Sequence, residues 1–106
     1  MKKIIYHKLV RDRIPEIIEA SGNTCVTEIL SDEEYLRMVE AKLDEELAEY
    51  HAEENLEELA DLLEVIYAAA AARGYSPREL DQMREEKAAR RGRFEKKLLL
   101  TKVYRD

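Results

Sequence analysis

The sequence predicts an all-α protein, a compact bundle of about four helices built on two long antiparallel ones. Three observations predict it. Apolar residues recur at spacings of three and four over two long stretches, Leu36 to Tyr50 and Leu56 to Ala70. Capping residues stand just ahead of the long segments. Only three Gly and two Pro occur in 106 residues, too few for a loop-rich or all-β chain. This length fits one domain, residues 1–106, without room for two independent cores. A hydrophobic share of 45% is enough to fold it.

Each element has its own signals. Residues 3–10 are mildly apolar and suit an extended start. Asp12 suits the cap of a short helix over 13–21, with Pro15 in its first turn and Gly22 as its stop. Residues 24–30 are rich in β-branched side chains and suit a short extended segment. Ser31 and Glu34 form a capping box for a helix over 32–53, whose stripe is Leu36, Val39, Leu43, Leu47 and Tyr50. A second long helix over 56–72 carries Leu56, Leu59, Leu63, Ile66 and Ala70, and Gly74 stops it. Ser76, Pro77 and Glu79 start a fourth helix over 77–91, which ends at Gly92. Residues 98–103 suit a strand or a packed extension. Two such stripes exceed what so short a bundle covers alone, which predicts a homodimer or higher assembly.

Charge is segregated. The net charge is −6, yet Glu40–Glu64 holds eleven acids and one base, Lys42, while Arg73–Asp106 holds eleven bases and six acids. Acid clusters suit hard cations and basic clusters suit phosphates. Solvated outer faces of helices give the same pattern less specifically. Glu46 with Glu49, and Glu58 with Asp61, share an i,i+3 spacing that lets both members address one ion. With Leu43 at zero on a helical wheel, Glu46 falls at about −60° and Glu49 at about −120°, flanking the stripe, while Glu45 falls outward. With Leu59 at zero, Glu58 and Asp61 flank the second stripe at about −100° and −160°. Antiparallel packing brings these flanks together. Four bare carboxylates repel, and a divalent cation removes the conflict. An all-oxygen set favours Mg²⁺ or Mn²⁺ over zinc. Acid-rich helices also give this spacing by chance, and Asn55 with Glu58 also suits a simple capping pair.

Lys87, Arg90 and Arg91 supply a complementary basic group, with Lys87 and Arg91 on one face; Lys8, Arg11 and Arg13 form a second. Arg forks and Lys point charges both suit phosphate. Several classes are excluded. No stretch approaches the roughly 20 apolar residues of a membrane span, and the first six residues lack a signal-peptide pattern. The lone Cys25 cannot form an internal disulfide, which predicts a reducing, cytoplasmic setting. His7 and His51 lack metal-ligand spacing. Negative net charge without a recognition-helix pattern argues against nucleic acid.

The segment from Lys42 to Glu49, followed by Glu58-Leu59-Ala60-Asp61, resembles the EExxE…ExxD signature of the all-α NTP pyrophosphatases, the MazG-like proteins. Tyr6 to Ile18 resembles the opening of a small phosphoribosyl-ATP pyrophosphohydrolase-like branch. Lys87 to Phe94 resembles that branch's basic segment, with Arg93 where the second Gly stands. The resemblance implies Mg²⁺-dependent cleavage of a nucleotide between its α- and β-phosphates, giving a monophosphate and pyrophosphate. It implies metal ligation by Glu46, Glu49, Glu58 and Asp61, with Glu45 as the leading acid and Glu45, Glu46 and Glu49 as the catalytic set. Lys87, Arg90 and Arg91 would hold the phosphates, and Lys8 and Arg11 are secondary candidates. The phosphoribosyl-ATP step of histidine biosynthesis and a non-catalytic nucleotide- or protein-binding dimer are the alternatives.

Overall fold

The computed structural model describes residues 2–105. Among them are four helices and no strand: α1 (Ile14–Ala20), α2 (Asp32–Glu53), α3 (Leu56–Ala72) and α4 (Pro77–Arg91). The fold is all-α, as the sequence predicts. The segments 24–30 and 98–103 lie outside the helices and pair with no strand.

Local chemistry accounts for the helix ends. The Ser31 hydroxyl accepts the Glu34 N–H and donates to the Glu34 carboxylate, so Glu34 turns to the hydroxyl. Ser76 and Glu79 close a reciprocal capping box at α4. Asp12 is not the cap of α1. Arg13 holds that position without a side-chain bond, and Pro15 sets the first turn instead. At the end of α3 the Gly74 and Tyr75 N–H groups return to the Ala71 and Ala70 carbonyls, which needs a left-handed residue. Gly74 supplies it, with φ +90°.

The core is the α2–α3 hairpin, closed by a two-residue connection of Glu54 and Asn55. Glu54 takes a left-handed conformation, φ +51°, and the Asn55 side chain accepts the Glu58 N–H. α2 packs along α3, and α4 meets α3 more briefly. Val39 is fully buried in the hairpin.

The face of α3 turned to α2 is not the expected one. Leu59, Leu63 and Ile66 remain 43%, 48% and 38% exposed, whereas Leu62 and Val65 are half-buried. On the same wheel Leu62 and Val65 fall at about −60° and −120°. The inner face therefore centres close to Glu58. α3 is apolar on most sides, so periodicity alone selects no single stripe.

The molecule measures 71 × 31 × 22 Å. Its longest helix, with 22 residues, accounts for only about 33 Å of that length. Among the described residues, no helix is long and apolar enough to cross a membrane.

Candidate metal centre

Glu46 shares the inner face of α2 with Val39 and is only 7% exposed. One of its carboxylate oxygens, Oε2, is buried without a hydrogen-bond partner among the described residues, and so is Oε2 of Glu58. One oxygen each from Glu46, Glu58 and Asp61 lies within 4.8 Å of the others. A second group shares Glu46: Glu45, Glu46 and Glu49 also place one oxygen each within 4.8 Å. Thus the hairpin gathers all four expected ligands around Glu46, and Glu45 joins from the exposed side.

Asn55 accepts the backbone N–H of Glu58, but the Glu58 carboxylate accepts no reciprocal bond from the Asn55 N–H to close a capping box there. The carboxylate is left to face the cluster. Loss of water pushes the Glu46 carboxyl above the ordinary carboxylate range. Neighbouring Glu49 and Asp61 push the same way, and Lys42 opposes them. Loss of water likewise raises Glu58, with Glu49, Asp61, Glu46 and Glu57 adding to it. At both groups burial is the first cause and carboxylate repulsion the second.

Two bases touch it. Lys42 Nζ lies 3.2 Å from Glu45 Oε1 and 3.5 Å from Glu46 Oε1. Its spacing to Glu46, i,i+4, was the available sequence signal. Arg11 donates to Asp61 Oδ1 at 2.7 Å and stands 4.0 Å from Glu64. Fifty residues separate Arg11 from Asp61, so no local pattern announces the pair. Both bases line a cleft of about 710 Å³ that also takes in Lys8, Glu46, Asp61 and Glu64. Its other wall is less polar, with Tyr35, Tyr67, Ala68 and Ala71. The tyrosines and Glu64 acquire this position only through packing.

The basic group on α4 stands elsewhere. Lys87, Arg90 and Arg91 are exposed, do not line the cleft, and form no ion pair among the described residues. Within one chain the acid centre therefore meets Arg11 and Lys42, with Lys8 on the same cleft, rather than the α4 bases.

No family model matches the chain, and no solved structure matches it. A protein of Mycolicibacterium smegmatis, described only as uncharacterized, is 62% identical over 45 residues. That stretch is 42% of this chain and 46% of the relative, so the likeness spans less than half of either protein.

Proposed function

We propose that the chain is a Mg²⁺-dependent, MazG-like nucleotide pyrophosphohydrolase that cleaves the α–β phosphate bond. The observation that carries this reading is the buried, unpartnered oxygen of Glu46, whose carboxylate gathers with those of Glu58 and Asp61. A buried carboxylate oxygen without a partner is costly, and a hard cation relieves it. Oxygens around a six-coordinate Mg²⁺ stand at most about 4.2 Å apart, so the observed spread needs only small side-chain rotations. Mn²⁺ fits the same donors.

Glu46, Glu49, Glu58 and Asp61 would hold the ion. When bound, it supplies a Lewis acid for phosphate oxygens and for an attacking water. Glu45, or Glu49 where the ion leaves it free, would accept the proton of that water. Arg11 and Lys8 lie in the cleft where phosphate oxygens would enter, and Arg11 exchanges its Asp61 partner for them. Lys87, Arg90 and Arg91 offset the charge of departing pyrophosphate. A homodimer would form through the exposed Leu59, Leu63 and Ile66 of α3. The Tyr35 and Tyr67 wall suits a substrate with an apolar, flat part. A cytoplasmic nucleotide pool is the setting this chemistry suits.

The test is pyrophosphate release from a panel of nucleoside triphosphates and phosphoribosyl-ATP, with and without Mg²⁺. Release of pyrophosphate and a monophosphate only with Mg²⁺ is expected, and the panel separates housekeeping from biosynthetic substrates. Binding without turnover across the panel would replace the enzyme with a nucleotide-binding helical protein.

A further inference from the structure

The chain beyond Gly92 leaves two surfaces unmatched. One is the segment 93–105 itself, which carries five bases against one acid, Glu95. Its apolar side chains are open to water, from 69% for Val103 through 85% and 86% for Leu98 and Leu99 to 100% for Phe94. Such a run of exposed apolar residues marks an interaction surface. The other is a groove of about 430 Å³ where α3 meets α4. Ala70, Tyr75, Leu80 and Met83 make it apolar, and among the described residues the charges lining it are the carboxylates of Glu79 and Glu86. The groove continues the exposed Leu59, Leu63 and Ile66 stripe of α3 through Ala70.

From these features we infer that segment 93–105 of one copy docks along the α3–α4 groove of a second copy. The chemistry matches on both counts: leucines and aromatics meet an apolar floor, and a basic strap meets an acidic rim. The reach also matches. Thirteen residues extend to about 45 Å at most, and α3 is about 25 Å long. Gly92, with φ +83° and ψ −177°, leaves α4 in an extended direction, and no residue of the segment lines the groove of its own chain. A second copy offers an identical groove, so a symmetric exchange covers both surfaces at once. This arm is a contact separate from the acid centre and does not rest on the catalytic reading.

The test is disulfide trapping in the full chain with Cys25→Ser as background. Chains carrying Met83→Cys and Leu99→Cys are prepared separately, checked for helical circular dichroism and free thiols, then mixed and oxidised. A covalent dimer in the mixture, well above that from either chain alone, is expected. Adding Glu86→Lys to the Met83→Cys chain should slow trapping by about threefold or more, as one rim charge reverses. A mixture that gives no excess dimer, with both chains folded and both thiols reactive, overturns the proposal. So does a chain carrying both cysteines that closes only on itself, because the arm is then a strap on its own body. An unchanged rate with Glu86→Lys overturns the charge match on which the docking rests.

Discussion

The α2–α3 hairpin and the α4 region beyond it are built on opposite plans. The hairpin turns carboxylates inward: Glu46 is buried beside Val39, and Glu58 faces α2 between Leu62 and Val65. The C-terminal third turns its bases outward, and Lys87, Arg90 and Arg91 touch no acid among the described residues. Burial makes charge expensive and specific, whereas exposure makes it cheap and adaptable. The hairpin is thus the part suited to hold an ion at fixed geometry. The α4 region is the part suited to meet something arriving from outside.

The largest expected effect falls on the buried side. Glu46→Gln should lower Mg²⁺-dependent pyrophosphate release by about 100-fold or more, because Glu46 belongs to both carboxylate groups. Asp61→Asn should act in the same direction. Near-wild-type rates at saturating Mg²⁺ in both variants would remove the metal assignment. Next come the exposed bases. Lys87→Ala and Arg91→Ala should each cost about 10–100-fold in kcat/KM, from charge-assisted bonds worth roughly 1.5–3 kcal/mol. Arg84→Ala is the control, since Arg84 is already paired with Asp81 at 3.0 Å. Equal small losses at all three positions would make the basic segment a solvated helix end.

The smallest effect is one of stability. Glu46 and Glu58 have raised carboxyl pKa values in the folded protein. The folded state then holds protons that the unfolded state has released. The resulting stability is complete below the ordinary glutamate value and is lost as pH rises through the raised folded value. In EDTA, the urea midpoint of the wild type should therefore fall relative to that of Glu46→Gln as pH rises above the ordinary glutamate range. A gap that closes with rising pH would mean that the Lys42 pairing outweighs burial and carboxylate repulsion.

Helix ends were legible because their causes are local. Ser31, Asn55 and Ser76 satisfy N–H groups within three residues, and Gly22 and Gly74 take up positive φ just past the last turns. Asp12 misled because a capping residue type says nothing of its φ and ψ. There Pro15 sufficed to start the helix and Arg13 took the boundary. The α2 side of the acid centre was legible in part: Glu46 flanks the stripe of Val39 and Leu43 on the wheel, and packing then buries it. The α3 side was harder, because Leu59, Leu63 and Ile66 make as good a stripe as Leu62 and Val65.

By itself the sequence determined the four helices, the ends of the three longer ones, the i,i+3 acid pairs and the segregation of charge. All of these follow from contacts within about one helical turn or from composition. Tertiary structure alone decided which face of α3 turns inward, that Glu46 is buried with an unpartnered oxygen, and that Arg11 reaches Asp61. It also decided that the α4 bases stand clear of the cleft. The reason is that helical periodicity specifies angles around one axis only. The rotation of one helix against another is chosen by the packing of both surfaces together.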